Sequence, residues 1–498
     1  MLRKLSVVVL SAGALALTAC SSSSPGTPDS GTPAISCTSS TTPTCTISAS
    51  ATESAIDSAI AGAVAGTTFS FAAGTFEFTN TIAIPAVANL SFFGAGMGQT
   101  ILDFGNQTAG ADGMDATLGN ANIRFENFTI RNTAGDAIKV ENGNGVVFYM
   151  VQVQWVNPAD GGFRDYSLHG AYGIYPVQSQ NVLIDHCQIM GARDTGAYIG
   201  QSYNIVVSNN TVFQNVAGIE IESSINAVVT NNVSTQNAAG ILVFGLPNLN
   251  PPPGSGAAQD GTNYVTVSNN QIDNNNTVNF ADPSGVVAAV PGGTAFFVMA
   301  ANNVEVVGNT VTNNNSAGSA VISYCLYDPV YCASAPAATN LEPFSHNVFI
   351  HGNTFSGNGA APTSMNQLPD GGVYSNNFGS LFGALVTYGG FGSSNAPVAD
   401  VIWDGLSDNP AYVPPAANAT DAGSPPNPQG VWVEGNTDAA AGGQATWANI
   451  NFTVTLPDPT NPSTLNPSGV NLYGAPFQIT DGGPAGFPLP AIDAGILP

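Results

Sequence analysis

The chain has 498 residues and a formal net charge of −25 at pH 7, from 32 Asp and Glu against 7 Lys and Arg. This excess of negative charge excludes nucleic acid as an expected partner and disfavours binding to anionic lipid surfaces. Although only 8% of the residues are charged, the hydrophobic content of 43% predicts a folded chain rather than a disordered one.

The first twenty residues form a targeting segment. Arg3 and Lys4 precede an apolar run over residues 5–17, which is shorter than a membrane span. The letters LTAC, which end at Cys20, resemble the lipobox of bacterial lipoproteins. We therefore expect a lipoprotein signal peptide over residues 1–19 and a lipid on Cys20, which would anchor the protein to a membrane. The alternative is an ordinary secreted protein in which Cys20 has no role.

The residues after Cys20 extend this prediction. Ser21 follows Cys20 where an Asp would signal retention, so the rule for bacterial lipoproteins predicts an outer-membrane location. Residues 20–48 are rich in Ser, Thr and Pro and predict a tether. Removal of Arg3 and Lys4 with the signal changes the formal charge from −25 to −27.

The cysteines that follow fit an exported protein. Cys37 with Cys45, and Cys325 with Cys332, are near enough in sequence to close small disulfide loops in an oxidising compartment. Cys187 is left over, and its place in the repeat described below predicts a buried thiol rather than a nucleophile. The sequence contains no zinc-binding spacing, so we predict no zinc site.

A repeat of about 22 residues is the main feature of the chain. Each repeat has a short β-branched run that ends in Asn or Gly-Asn, and successive starts at Asn181, Asn204 and Asn226 are 23 and 22 residues apart. Such a repeat must stack on its neighbours to bury its apolar face, which predicts a parallel β-solenoid with the Asn columns as scaffold. Six segments share this register: residues 122–128, 181–187, 204–210, 226–232, 303–309 and 347–353.

Together with residues 71–78 (FAAGTFEF) and 93–98 (FGAGMG), these repeats resemble the right-handed parallel β-helix proteins of the pectate-lyase-like superfamily. The closest likeness is to bacterial lipoproteins that carry parallel β-helix repeats. The resemblance implies an all-β, single-stranded, right-handed parallel β-helix over residues 49–360. It also implies a capping helix within residues 53–65. Because the fold carries lyases, hydrolases, epimerases and inert surface proteins, it does not define a function.

One outward-facing column emerges when the second β run of each coil is placed in register. Its members on five successive coils are Lys139, Tyr175, Tyr198, Glu220 and Leu242. Adjacent members should lie about 4.8 Å apart, as in paired strands. A Lys, two Tyr and a Glu in line form a predicted platform for sugar rings.

The second of these coils carries a long insertion over residues 157–170, which holds Arg164, Asp165 and His169. Arg193 and Asp194 occupy the turn of the next coil, so insertion and turn should meet at one edge of the tyrosine column. Lys and Arg are absent after Arg193, so an acidic ligand has only this part of the solenoid to bind. The alternative is that these charges only hold turns in place.

This group of residues is suited to an acidic polysaccharide. A uronic-acid lyase or epimerase must neutralise the C5 carboxylate, which Lys139, Arg164 or Arg193 can do. His169 or a tyrosine can remove the C5 proton, and Tyr175 or Tyr198 can supply one. We find no motif that supplies metal ligands and predict no required cofactor. Because the superfamily has members with and without Ca²⁺, a role for Ca²⁺ stays open.

Two other functions remain open. A hydrolase would need two carboxyls on either side of the sugar bond, and Asp165, Asp194 and Glu220 are the candidates. A non-catalytic protein that binds glycans, or a structural scaffold at the cell surface, would use the same surface without chemistry. Residues 361–498, rich in Pro and small residues, are expected to continue the solenoid and to cap its open strand edge, which predicts a monomer.

Overall fold

A computed structural model describes most of the N-terminal three quarters of the chain and parts of the remainder. The described residues are 34–157, 162, 165–257, 261–328, 331, 341–362, 365–367, 373–375, 397–404, 431–438, 443–455 and 466–472. Three predicted positions, Cys20, Arg164 and Cys332, lie outside them, as does the signal peptide.

Each full coil contributes three strands, and each strand pairs in parallel with its counterpart in the next coil. We call the three stacks of strands the first, second and third faces. The first face consists of Ile82–Ala83, Met114–Ala116, Ile138–Glu141, Tyr172–Val177, Thr195–Gly200, Ala217–Glu222, Ala239–Phe244, Thr294–Met299, Ala317–Ile322, Val401–Trp403 and Trp447–Thr455.

The second and third faces join into one sheet because Ala121–Arg131 and Asn144–Gln154 run continuously through both. The second face otherwise consists of Thr44–Ile47, Thr68–Phe71, Leu90–Phe93, Gln180–Asp185, Tyr203–Ser208, Ile225–Thr230, Thr262–Ser268, Ala301–Val307, His346–His351 and Val431–Glu434. The third face otherwise consists of Gly74–Glu77, Thr100–Asp103, Gln188–Met190, Thr211–Phe213, Val233–Thr235, Gln271–Asp273, Thr310–Thr312, Thr354–Ser356 and Thr437–Asp438.

The predicted parallel β-helix is confirmed. First-face strands that begin at Tyr172, Thr195, Ala217 and Ala239 are 23, 22 and 22 residues apart and pair in that order. Alternate residues point into a continuous apolar core that fills the interior of the coils. Inside the first coils the rings of Phe69, Phe92, Phe125 and Phe148 stack with centroids 5.2 to 5.4 Å apart.

The Asn columns are scaffold, as predicted. In one ladder the buried side chain of each Asn accepts hydrogen bonds from the backbone N–H and the amide of the previous one. The residue before each ladder member has a left-handed φ, which Asn and Gly tolerate. Cys187 begins this ladder and is a buried free thiol. The Asn members are Asn210, Asn232, Asn270, Asn309, Asn353 and Asn436.

The folded part begins ahead of the predicted boundary at residue 49. Ile35–Cys37 forms an antiparallel hairpin with Thr44–Ile47, and the predicted Cys37–Cys45 disulfide closes it. Because Thr44–Ile47 also pairs with Thr68–Phe71, this hairpin is part of the second face and not of a tether. The helix that follows spans Glu53–Ala61 and buries Ile56 and Ile60 in the core.

Coils continue beyond residue 361, as the sequence predicts. Val401–Trp403 extends the first face, and Val431–Glu434 extends the second. The strand Asn466–Leu472 pairs antiparallel with Trp447–Thr455 and ends the first-face sheet. The remaining described elements are the pair Met365–Gln367 and Val373–Ser375, the helix Tyr324–Tyr327, and the 3-10 turns Tyr166–Leu168 and Val286–Ala289.

No helix within the described ranges has the length and hydrophobicity that a membrane span requires. Cys325 is disulfide-bonded, and Cys332, the partner predicted for it, lies outside the described residues.

Candidate functional site

The predicted column on the outer surface of the first face is present. Lys139 lies level with Tyr175, and Glu220 lies between Tyr198 and Leu242. The pairs Ile174 with Ala197 and Val177 with Gly200 place Tyr175 beside Tyr198. Asp115 precedes Lys139 in the same column. The register of the repeat therefore brings residues more than 100 positions apart into one line.

Only part of this column is open to solvent. Asp115, Lys139 and Tyr175 are half-buried, whereas Tyr198 is 5% exposed and Glu220 is 1% exposed. Leu242 is fully buried although its side chain is on the outer surface. The predicted open platform of two tyrosines and a glutamate is thus wrong for Tyr198 and Glu220, because both side chains are buried.

Three tyrosines form a compact aromatic cluster at the boundary between the open and covered parts. The ring centroids of Tyr172 lie 4.5 Å from Tyr175 and 4.6 Å from Tyr198, and those of Tyr175 and Tyr198 are 4.9 Å apart. The Lys139 ammonium lies 5.4 Å from the Tyr175 centroid, a cation–π arrangement. Burial raises the pKa of Tyr172 and of Tyr175, so both phenols stay protonated at neutral pH.

Two aspartates border the open side of this cluster. Asp136 Oδ1 accepts a hydrogen bond from the backbone N–H of Tyr172 at 3.1 Å, and Asp112 Oδ1 accepts one from the N–H of Asp136 at 3.0 Å. Burial and, next, the negative charge of Asp112 raise the pKa of Asp136 to about 7. Asp136 therefore exchanges a proton near neutral pH.

Asp194, Glu220 and Glu222 form a carboxyl network beneath the covered part. The Thr195 hydroxyl oxygen lies 2.6 Å from Glu220 Oε2 and 3.1 Å from Asp194 Oδ1. Since a hydroxyl has one hydrogen to donate, it cannot fully satisfy both groups as carboxylates. Glu222 accepts hydrogen bonds from Tyr198 and from the amide of Gln201.

The carboxyls of this network hold protons more tightly than free carboxyls do. Burial, followed by the charges of Asp194 and Glu222, raises the pKa of Glu220 well above its usual range. Burial also raises the pKa of Asp194 and of Glu222 to about 7 in each case. A cluster that titrates near neutral pH, beside aromatic rings and two cations, is typical of a functional site.

The two cations are Lys139 and Arg193. The Arg193 backbone N–H donates to the Gly170 carbonyl, which fixes the turn to the end of the long insertion. Its guanidinium counteracts the rise in pKa of Asp194 and is one of the causes that lower the pKa of Asp282, after the hydrogen bonds from Ser284. The charge of Arg193 thus acts on two carboxylates, Asp194 next to it in the turn and Asp282 of a later loop.

The two described site residues predicted in the long insertion, Asp165 and His169, lie outside the tyrosine cluster. Asp165 is exposed and caps the 3-10 turn, accepting hydrogen bonds from the N–H and hydroxyl of Ser167 at 2.9 and 2.8 Å. His169 is 1% exposed, donates from Nδ1 to the Gly191 carbonyl, and packs against Trp155 and Tyr166. This packed environment separates the His169 ring from the open part of the first face.

The remaining described cations are paired away from the first face. Arg124 bonds to Glu126 at 2.6 Å, and Arg131 bonds to Asp103 at 2.7 Å. Within the described part of the chain, no group of three or more His, Cys, Asp or Glu side chains is arranged to hold a metal ion.

Sequence reasoning did not select Tyr172, Asp136 or Glu222 as site residues. Glu222 carries a usable signal, because it lies two residues after Glu220 on the same strand and shares its outward side. Tyr172 and Asp136 lie at strand ends, where the alternation of inward and outward side chains no longer predicts direction.

Comparison with known proteins supports the fold. A family model described as "Right handed beta helix region" matches residues 112–251. Among solved structures, the Azotobacter vinelandii mannuronan C-5 epimerase AlgE4 A-module aligns with 16% identity and a TM-score of 0.42. That alignment covers 78% of this chain and 90% of the A-module.

Two further structures show a similar level of likeness. Alginate lyase from Paenibacillus sp. aligns with 15% identity and a TM-score of 0.35, covering 62% of this chain and 95% of the lyase. The tailspike of E. coli bacteriophage HK620, a mutant in complex with a pentasaccharide, aligns with 14% identity and a TM-score of 0.40, covering 59% and 50%. No curated protein sequence matches the chain. These identities and TM-scores are too low to transfer an activity.

Proposed function

We propose that this right-handed parallel β-helix protein binds an acidic polysaccharide along the open part of its first face and acts on it by lyase- or epimerase-like proton transfer. One observation carries the proposal. The first face brings together two cations, Lys139 and Arg193, with a cluster of three tyrosines. Asp136 lies beside this cluster, and its pKa is raised to about 7. Aromatic faces bind the apolar sides of sugar rings, and placed charges fix their orientation.

The residues divide the chemistry as follows. Lys139 and Arg193 neutralise the C5 carboxylate of a uronate, which makes the C5 proton more acidic. Asp136, as a carboxylate, takes the C5 proton, since its pKa of about 7 makes it a stronger base than an ordinary carboxylate. Tyr175 keeps its phenolic proton at neutral pH and donates it.

The two reactions differ in where that phenolic proton goes. In a lyase the electron pair released from C5–H forms the C4=C5 double bond, the C4–O4 bond breaks, and O4 receives the proton. In an epimerase the proton returns to C5 from the opposite side. Either way Asp136 gains one proton and Tyr175 loses one, and exchange with solvent restores both groups.

An acidic ligand is compatible with the many carboxyls nearby. Burial keeps Glu220 protonated and leaves Asp136, Asp194 and Glu222 partly protonated at pH 7. The site therefore carries less negative charge than its number of carboxyls implies. Such a protonated carboxyl can also donate a hydrogen bond to a uronate.

The test is incubation of the purified protein with alginate, pectate and related polyuronates. Lyase activity gives the ultraviolet band of the unsaturated product, and epimerase activity changes epimer content by NMR. Because acid–base groups contribute roughly 10²- to 10⁴-fold, Asp136→Asn and Tyr175→Phe should each reduce kcat by at least about 100-fold. In the wild type kcat/KM should rise with pH through about 7 as Asp136 deprotonates, and Asp136→Asn should lose this rise.

Matched controls lie on the other faces. Tyr203→Phe on the second face and Asp273→Asn on the third face make the same chemical changes away from the site and should leave activity unchanged. Binding without an unsaturated product, new reducing ends or epimer change would support a non-catalytic glycan-binding protein instead. Absence of both binding and turnover with every polymer would refute the proposal.

A second chemistry, glycoside hydrolysis, is favoured by one observation. Asp194, Glu220 and Glu222 are adjacent carboxyls with raised pKa, and a hydrolase needs one protonated and one ionised carboxyl. Hydrolysis gives new reducing ends without the ultraviolet band, so the same assay distinguishes it.

We also propose export and lipid anchoring at Cys20, which would place this groove at the cell envelope, at the outer membrane by the sequence rule given above. Mass spectrometry of the N-terminal peptide, compared with that of Cys20→Ala, tests the anchor. An unprocessed or unmodified Cys20 would remove it.

A further inference from the structure

The outer surface of the first face changes character along the solenoid. Beyond Glu220 the outward column continues through Leu242, Phe297, Ala320 and Ile402, and all four are at most 3% exposed. They belong to a second apolar core that is separate from the one inside the coils. A face that would otherwise be solvated is therefore covered along its downstream half.

Two insertions supply this cover, which we call the roof. Residues 274–293 leave the third face after Gln271–Asp273 and contribute Phe280, Val287 and Val290 to the second core. Residues 323–345 leave the first face after Ala317–Ile322, and their described part contributes Tyr324, Leu326 and Phe344. The insertions start from opposite edges of the first face, and their described residues pack over it.

The front edge of the roof reaches the candidate site. A side chain at Gly285 would lie 3.6 Å from Asp194 Oδ2, and Asp282 is near enough to Arg193 for the guanidinium to lower its pKa, in addition to the Ser284 hydrogen bonds. Tyr166 of the long insertion stacks on Phe280 with centroids 4.1 Å apart. The roof is thus joined to the coil of Tyr198 on one side and to the long insertion on the other.

We infer that the groove is blind at this end and that the protein recognises the end of a polysaccharide chain rather than its interior. This inference rests on the proposed polysaccharide function. The open floor runs through Ala83, Asp115, Lys139 and Tyr175, which is three strand spacings or about 14 Å. A polymer that lies along this floor meets the roof at Asp194 and Tyr198 and cannot continue over Leu242.

The experiment measures binding stoichiometry, which does not require turnover. Asp136→Asn is titrated calorimetrically with size-fractionated polyuronate oligosaccharides of increasing length. A blind groove predicts one protein per chain at every length, and an affinity that stops rising once the oligosaccharide exceeds the length of the open floor. A bulky fluorophore on one end of the chain should abolish binding, whereas the same label on the other end should not.

The outcomes separate this inference from the function on which it rests. Several proteins per long chain, or tolerance of both end labels, would overturn the blind groove while the glycan-binding function stands. If no oligosaccharide binds, the proposed function and the inference fail together. If the wild type is a lyase, one short product should accumulate from the start, and a broad distribution of intermediate lengths would contradict end recognition.

A variant tests the part played by the roof. Phe280→Ala removes the ring that stacks on Tyr166 and should raise the number of proteins bound per long chain above one. Phe349→Ala, a half-buried phenylalanine on the second face, is the matched control and should keep one protein per chain. If Phe280→Ala folds, as checked by circular dichroism, and still binds only at chain ends, Phe280 does not close the groove.

Discussion

The Asn ladder and the carboxyl network of the first face both bury polar side chains in the same coils, but they do so by different means. In the ladder each neutral amide meets an identical one about 4.8 Å away, so donors and acceptors match all along the solenoid. In the network Asp194, Glu220 and Glu222 are like-charged acceptors that share few donors.

This difference distinguishes scaffold from site. A ladder of matched neutral groups stabilises the fold at any pH in the physiological range. Crowded carboxyls instead retain protons, because burial beside other acids disfavours their ionised state. A fold has no structural need for such a cluster. Burial of polar groups alone therefore does not mark the site of this protein, whereas burial of unmatched acids does.

The largest expected effect is the interruption of the ladder. Asn232→Ala removes the Oδ1 that accepts from the backbone N–H of Asn210, and the amide that donates to the Val207 carbonyl. Each buried group left without a partner costs about 1–3 kcal/mol, so the free energy of unfolding should fall by about 3 kcal/mol or more. Urea denaturation measures it.

The control for this variant is Asn231→Gly, at the corner directly before Asn232. Asn231 is exposed and has a left-handed φ that glycine adopts freely, so the change should be under about 1 kcal/mol. Equal effects of the two variants would mean that the buried ladder does not stabilise the fold more than the exposed corner does.

The register of the first face was predictable, and its cover was not. The alternation of inward apolar and outward polar side chains fixes that Lys139 pairs with Tyr175, because a slip by one residue would turn apolar side chains outward. The burial of Leu242, the next member of the column after Glu220, depends on the roof residues 274–293, about 30 to 50 positions later, and their sequence carries no signal for the face over which they fold. Long-range packing of irregular chain therefore decided which predicted residues remained accessible.

The insertion teaches the same lesson at shorter range. The sequence correctly indicated that Arg193 and Asp194 meet its end, because adjacent coils must align. The sequence did not indicate that His169 turns into a pocket with Trp155, since an aromatic-rich loop is equally compatible with an open groove. Tyr172 entered the cluster because it lies at a strand end beside Asp136.

The next effect concerns pH. The pKa of Glu222 is 4.5 when unperturbed and about 7 when folded, so between these values the native state binds more protons than the unfolded state. Stability from this group is therefore fully present below about pH 4.5 and is lost as the pH rises to about 7. A difference of this size corresponds to about 3 kcal/mol.

Glu222→Gln should therefore flatten the fall in the free energy of unfolding between pH 5 and pH 8, measured by urea denaturation across that range. Asp165→Asn is the control, because the hydrogen bonds from Ser167 lower the pKa of Asp165 and it titrates below this range. An unchanged slope in Glu222→Gln would show that Glu222 is not the crowded acid described here.

The smallest expected effect is at the hydroxyl that joins the network. Thr195→Val keeps the shape of the side chain but removes the group between Asp194 and Glu220, whose hydrogen bonds oppose the rise in pKa of both carboxyls. One neutral hydrogen bond contributes about 0.5–1.5 kcal/mol. At pH 5 the carboxyls are largely protonated and need the donor less, so the free energy of unfolding should fall by about 1 kcal/mol. At pH 8 Asp194 is ionised and relies on that donor, so the loss in unfolding free energy should be larger than at pH 5.

The buried hydroxyl of Ser202, which bonds only to backbone groups, provides the comparison: Ser202→Ala should lose the same free energy at both pH values. If Thr195→Val also loses the same amount at both, the carboxyls next to it do not change charge in this range, and the contrast between the ladder and the network would not be electrostatic.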